Sequence, residues 1–157
     1  LFNVTSMQNL DSGILEEKFE NFLFNIDDYI ESLQLTAEQK GICLDMSLGS
    51  LYSLEKYIVQ NNVSVDSDDY NDCSAYLGEV VRKEFQGEWV CNLNKKDNSL
   101  YYGFPVITGH AMSGVLFSPF HVVKAFILRK RKNLFITAIK SQVDPVKIDW
   151  SKFPIEE

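Results

Sequence analysis

Two histidines and one cysteine are the residues that could build a nucleophilic site in this sequence. Cys91, His110 and His121 supply a thiol and two imidazoles, and a Cys-His dyad needs an imidazole within hydrogen-bond reach of the thiol. Cys91 alternates with Trp89 and Leu93 on the side of a strand that should be buried, and free cysteine is among the most buried residue types. We therefore interpret Cys91 as a structural thiol. Two histidines without a third ligand do not predict a metal site.

Two further segments match part of a functional motif. The stretch 109–114, GHAMSG, lacks the G-x-S-x-G order that exposes a nucleophilic serine, so we interpret it as a loop. The stretch 66–77 has the carboxylates of a calcium loop, but Asn71 and Leu77 stand where an EF-hand needs glycine and glutamate. The sequence therefore predicts no catalytic residue, no metal site and no cofactor.

Four aspartates, Asp66, Asp68, Asp69 and Asp72, crowd the start of a predicted helix. Carboxylates suit the positive end of the helix dipole, which is a sufficient structural reason for them. The functional alternative is a docking surface that presents negative charge to lysines and arginines of a partner. The net charge of -7 favours a basic protein partner through long-range steering and argues against nucleic acid.

The segment around Glu79 carries the most informative pattern. Gly78 lies inside a predicted helix, where glycine costs about 1 kcal/mol relative to alanine, so we expect another element to approach it closely. Gly87 is placed to end this helix, and the indole of Trp89 follows as a donor that needs a partner when buried. We predict that Glu79 accepts a hydrogen bond from Trp89 or from nearby backbone amides and joins the helix to a hairpin. The alternative is a general base with a raised pKa.

Apolar periodicity predicts the elements that position these residues. Spacings of three and four predict helices after Ser12, from Ser47 or Ser50 to Asn62, from Asp66 to Gly87 and from Pro119. A short helix is also predicted over 134–139, where the β-branched residues leave a strand as the alternative. Glu55 falls outside the apolar face of the second helix. Alternation predicts an antiparallel hairpin near 88–107 with a polar loop. The stretch 42–46 is predicted to be a short strand, and Thr36 begins a capping-box pattern that predicts a new helical turn.

Length and composition favour one α+β domain. A chain of 157 residues buries roughly two-thirds of its unfolded surface around one core. The prediction is a single domain over 1–157 of helices packed on a small antiparallel β-sheet, with an arm over 1–11 and an extended tail over 143–157. No apolar run approaches the roughly 18 residues of a membrane span. Three cysteines without C-x-x-C spacing favour reduced thiols and a cytoplasmic location.

Four short motifs resemble a family of small uncharacterised bacterial proteins. The pattern SL..LE.Y at 50–57 precedes YLGEVVRK at 76–83 and GEW at 87–89, and Pro119-Phe120 opens a later helix. The resemblance spans 47 to about 139. It implies a cytoplasmic binding role of the kind found in immunity proteins of bacterial competition systems.

Three functions are compatible with these patterns. The leading hypothesis is a non-enzymatic inhibitor that occludes a basic toxin domain through the acidic docking surface. One alternative is a small hydrolase-like enzyme with a pocket between the hairpin and the helices that uses Glu79, His110 and His121. The other is a self-associating structural protein with exposed aromatic side chains at Tyr52, Tyr101 and Phe117.

Overall fold

The helices of this protein flank one hairpin. The computed structural model describes residues 10–94, 99–111 and 115–142, so the predicted tail and most of the predicted arm lie outside the described residues. The elements are α1 (Ser12–Gln39), α2 (Ser50–Gln60), α3 (Asp68–Glu84), β1 (Glu88–Cys91), a 3₁₀ turn (Ser99–Tyr101), β2 (Pro105–Thr108), α4 (Pro119–Arg129) and α5 (Leu134–Gln142). The predicted α+β class is confirmed. None of the helices within these ranges is both long and apolar enough to cross a bilayer.

Helix α3 is the centre of the fold. It is buried on every side from Tyr70 to Val81, apart from half-buried Asp72, because α1, α4 and β2 pack around it. A helix surrounded by protein carries apolar residues on all faces. The hydroxyl oxygen of Ser67 caps its start by accepting from the backbone N–H of Tyr70, and the Tyr70 hydroxyl donates to the carbonyl of Phe120 at 2.7 Å. The latter bond fixes α4 against α3.

The predicted hairpin is confirmed, although its second strand is shorter than the alternation indicates. Strands β1 and β2 pair antiparallel with Trp89 opposite Ile107, and residues 99–101 form a 3₁₀ turn instead of strand. Phe117 then pairs with Ile107 through two backbone hydrogen bonds of 2.8 and 3.0 Å. Phe117 is fully buried at this bridge, so the prediction that it is exposed is wrong.

Helix α1 continues beyond its predicted apolar stripe. Residues 36–39 form its last turn instead of starting a new helix, because Ala37 is buried and the chain can continue into the core. Gly41, with φ 76, then turns the chain. Residues 42–46 form no strand within the described part of the chain, so the strand predicted there is wrong.

The turn between α4 and α5 contains two residues in the left-handed conformation. Lys130, with φ 52, caps α4, and its backbone N–H donates to the carbonyl of Phe126 at 2.7 Å. Glycine is favoured at such a position, and the left-handed conformation costs an ordinary L residue roughly 1–2 kcal/mol. Asn133, with φ 69, is the second, just before α5. The surrounding contacts therefore hold this turn in an unfavourable backbone conformation.

A buried carboxylate of α2 anchors that turn. Glu55 is 6% exposed and accepts hydrogen bonds from the backbone N–H groups of Asn133 at 2.8 Å and Phe135 at 3.0 Å. Its predicted position away from the core is wrong, because the start of α5 needs acceptors for its free N–H groups. Burial raises the pKa of Glu55, although the two backbone donors act in the opposite direction.

Candidate functional site

Glu79 of α3 is joined to β1 by Trp89 and is also paired with Arg82 of its own helix. The indole N–H of Trp89 donates to Oε1 of Glu79 at 2.8 Å, and Arg82 donates to both carboxylate oxygens at 2.6 and 3.0 Å. The hydrogen bond predicted between Glu79 and Trp89 is thus present. Burial by itself raises the pKa of Glu79, but the bonds from Arg82 and Trp89 outweigh burial and lower that pKa below its ordinary value. A lowered pKa disfavours the alternative role as a general base.

Gly78 lies where the indole meets α3. A Cβ atom added to Gly78 would overlap Cη2 and Cζ2 of Trp89 and would come within 2.9 Å of Cγ of Pro119. The close approach that the sequence predicts at Gly78 therefore comes from both β1 and the start of α4. Glycine is required here by space and not by backbone conformation.

Gly87 has a different role from the one predicted. Gln86, with φ 56, is the left-handed residue that closes α3, and the N–H of Gly87 donates to the carbonyl of Arg82 at 2.9 Å, as in a Schellman motif. A Cβ atom on Gly87 would lie 2.6 Å from Cγ2 of Ile107 and 2.9 Å from the carbonyl oxygen of Thr108. Gly87 therefore lets β2 approach the end of α3 closely.

His121 is enclosed by aromatic rings. The ring centroids of Tyr101 and Phe104 each lie 4.6 Å from that of His121, and Oγ of Ser118 lies 2.6 Å from its Nδ1. Ser118 is 2% exposed, so its hydroxyl is not open to a substrate. Burial lowers the pKa of His121 to about 4, and the imidazole is therefore neutral at pH 7. Tyr101 packs on the histidine instead of forming the exposed aromatic face that the sequence suggests.

His110 and Cys91 are the other residues that could contribute to a Cys-His site. His110 is fully buried with its ring 6.1 Å from that of Phe117, and Sγ of half-buried Cys91 lies 3.9 Å from the carbonyl oxygen of Leu15. Burial raises the pKa of the Cys91 thiol to about 11, which keeps it protonated at neutral pH. Within residues 10–94, 99–111 and 115–142, no group of three or more His, Cys, Asp and Glu side chains is arranged to hold a metal ion.

A groove between α1 and α3 collects three carboxylates. It has a volume of about 630 Å³ and is lined by Asp28 of α1 and by Asp68 and Asp72 of α3. We call it the acidic groove. Lys18 contributes one ammonium group to the same lining. Neither Glu79 nor the two histidines line it, so the groove is separate from every group of the enzymatic alternative.

Asp28 is the groove residue that sequence reasoning missed. The polar residues that α1 gives to the groove, at positions 18, 21, 28 and 32, lie on one helical face beside the apolar stripe. This spacing is a usable sequence signal. What the sequence does not show is that α3 packs along that face and places Asp68 and Asp72 opposite it.

The other two predicted docking residues lie outside the acidic groove. Asp69 is directed towards α2, where burial and the negative charge of Asp69 together raise the pKa of Tyr57 to about 12. Asp66 is exposed in the turn before α3. The structure therefore brings together two of the four predicted aspartates and adds one from α1.

Asp72 has a strongly perturbed carboxyl group. Burial raises the pKa of Asp72 to about 6, the charges of its neighbouring aspartates add to this, and the amide of Asn71, 3.4 Å away, acts in the opposite direction. The pKa of Tyr29 on α1 is also raised, by burial and by the negative charges of the three groove aspartates. Ionisation of Asp72 therefore lowers the stability of the folded protein relative to the unfolded chain.

We expect Asp72→Asn to stabilise the folded protein at pH 7. The folded pKa of about 6 lies above the ordinary value of 3.8, so the stabilising effect of the protonated form is complete below 3.8 and is lost as the pH rises through 6. Asparagine cannot ionise, so the variant keeps this stability at pH 7. Urea unfolding at pH 4 and pH 7 should show a larger gain for the variant at pH 7. An equal gain from Asp66→Asn, at an exposed position, would contradict burial as the cause.

The comparisons with known proteins leave the site to be interpreted from its own geometry. No family model, no curated protein and no solved structure matches this chain.

Proposed function

We propose that this protein is a non-enzymatic binding protein whose acidic groove receives a basic side chain of a protein partner. The observation that carries the proposal is the convergence of Asp28, Asp68 and Asp72 from two helices on one groove. Three carboxylates in one concave site focus a negative potential that attracts lysine or arginine. A cation bound there would also offset the unfavourable burial of the Asp72 charge.

An exposed aromatic ring beside the groove favours a protein partner over a small cation. Phe24 lies one helical turn before Asp28 on α1 and is 87% exposed. Aromatic side chains are enriched at protein interfaces, where they supply much of the binding energy. A protein surface would cover Phe24 while one of its basic side chains fills the acidic groove. A free metal ion or a small amine would leave the ring in water.

Among binding proteins, we favour an immunity-type inhibitor that occludes a basic toxin domain in a bacterial cytoplasm. Its support is the net charge of -7 and the acidic groove. Such an inhibitor acts by covering the positively charged surface of its target, so it needs no catalytic group of its own. Opposite charges on the two proteins would speed their association.

The test is affinity capture of the partner by two variants that lose the same number of charges. The groove variant carries Asp28→Asn, Asp68→Asn and Asp72→Asn. The control carries substitutions at three exposed positions outside the groove, Glu17→Gln, Glu20→Gln and Glu88→Gln. We expect the wild type and the control to capture a basic protein from the native lysate at low salt. The groove variant should bind it roughly tenfold more weakly, and high salt should release it.

Two results would contradict the proposal. Equal capture by the groove variant and the control would mean that net charge, and not the groove, determines binding. If the wild type captures no basic protein that the groove variant fails to capture, the chain has no partner of the proposed kind. The inhibitor role is tested separately by expressing the captured protein alone and with this chain. We expect the captured protein alone to arrest growth. The wild-type chain should relieve this arrest, and the groove variant should not.

A further inference from the structure

A second groove, built from α2, α4 and the turn before α5, combines an apolar lining with lysines. Its volume is about 420 Å³, which is in the range of about 300–1,000 Å³ typical of ligand sites. The residues that define it are the apolar Tyr52, Val59 and Phe126 and the lysines Lys56, Lys130 and Lys132. We call it the lysine groove. It shares no lining residue with the acidic groove.

The charge of the lysine groove is opposite to that of the chain as a whole. Its three lysines are exposed, whereas the protein carries a net charge of -7. Glu55 also lines the groove, but its carboxylate is 6% exposed and accepts hydrogen bonds from the N–H groups of Asn133 and Phe135. An approaching ligand therefore meets the ammonium groups before the carboxylate, and anions are attracted to this face.

The backbone at Lys130 gives an independent reason to consider a side-chain role. Lys130 adopts φ 52 at the end of α4, where glycine would be favoured, so its side chain is present at a conformational cost. Residues held in unfavourable conformations are concentrated at binding sites. The charge that this position adds to the lysine groove is a function that glycine could not provide.

We propose that the lysine groove binds an acidic segment of a second protein by inserting a large apolar side chain between the lysines, while flanking carboxylates pair with the ammonium groups. Free phosphate or nucleic acid would use the lysines but would leave the exposed surface of Tyr52 and Val59 uncovered. A flat anionic membrane would meet the lysines without filling the concave groove. The protein would thus bind two partners of opposite charge through two separate grooves.

The test uses fluorescein-labelled peptides and measures fluorescence anisotropy. The probe is the hexapeptide Glu-Glu-Leu-Phe-Glu-Glu. One matched peptide replaces Leu and Phe by serine and keeps the charge, and another replaces every Glu by glutamine and keeps the apolar residues. We expect the probe to bind saturably and about tenfold more tightly than either matched peptide, because each lacks one of the two kinds of contact.

Variants of the chain locate the binding. Lys130→Gly and Lys132→Gln should each weaken binding of the probe about threefold to tenfold. Arg129→Gln, in the same basic run but outside the groove lining, should leave binding unchanged. Lys130→Gly should also keep or raise the urea midpoint, because glycine suits φ 52, so its loss of binding cannot be attributed to misfolding.

Several outcomes would overturn the proposal. They are no saturable binding of the probe, equal affinity for the probe and either matched peptide, or equal weakening by Arg129→Gln and Lys132→Gln. Binding to phosphatidylserine vesicles that the lysine variants reduce, without binding of the probe, would assign this face to a membrane instead. Failure of this test leaves capture through the acidic groove unaffected, because the two grooves share no lining residue.

Discussion

Replacing Gly78 by alanine is expected to destabilise the protein by about 3 kcal/mol in urea unfolding. The new methyl group would overlap the indole of Trp89 and come within 2.9 Å of Pro119. The indole cannot move aside freely, because it is 8% exposed and donates to Glu79 at 2.8 Å. Helix propensity alone would favour alanine by about 1 kcal/mol, so the sign of the result separates packing from propensity.

Gly13→Ala is the matched control for Gly78→Ala. Gly13 also lies in a helix, but the nearest atom to an added Cβ, Oδ2 of Asp11, is 3.5 Å away. We expect this substitution to be neutral or to stabilise the protein by up to about 1 kcal/mol. If Gly78→Ala is equally harmless, the indole does not restrict position 78. If Gly78→Ala costs less when Trp89 is also replaced by leucine, the overlap with the ring is the cause.

The second large effect is expected for Glu55→Ala, which should lower the free energy of unfolding by about 3 kcal/mol. Alanine leaves the backbone N–H groups of Asn133 and Phe135 without the acceptor that Glu55 now supplies, and each buried unpaired donor costs about 1–3 kcal/mol. Urea unfolding at pH 7 gives the measurement. Far-UV circular dichroism would show whether helix content falls with the loss of the anchor before α5.

Glu55→Gln distinguishes the acceptor from the charge. Glutamine keeps one oxygen in place and removes a carboxylate whose pKa is raised by burial. A raised folded pKa means that this group contributes stability at low pH and loses it as the pH rises, so loss of the charge is not costly at pH 7. Oε1 and Oε2 of Glu55 each accept from one backbone N–H group, so glutamine leaves one of the two donors without an acceptor, and we expect a loss of about 1–3 kcal/mol that is smaller than the loss caused by alanine. A loss as large as that of alanine would show that the negative charge is required as well.

Features that depend on neighbouring stretches of sequence were predictable. The bond from Trp89 to Glu79 joins residues ten positions apart, at the end of one helix and the start of the next strand. The cost of a glycine within an apolar helix pointed correctly to a close approach at Gly78. The indole that meets both Glu79 and Gly78 lies near them in the sequence, whereas the approach of Pro119 to Gly78 depends on packing between distant elements.

Features that depend on packing between distant elements were not predictable. Asp28 meets Asp68 and Asp72 because α1 lies along α3, and the sequence does not specify which helices become neighbours. The same reason explains the wrong predictions for Glu55 and Phe117, whose partners belong to elements far away in the chain or to an unforeseen bridge. A carboxylate or an aromatic ring looks exposed in sequence until its partner is known.

The anchor at Glu55 also determines the order in which the protein can be completed during synthesis. Its two backbone partners lie 78 and 80 residues further along the chain. At about 5–20 residues per second, a ribosome needs roughly 4–16 s to produce them. Until then the Glu55 carboxylate lacks both of these donors. We therefore expect the nascent chain to remain a partly folded intermediate that closes only when the start of α5 leaves the ribosome.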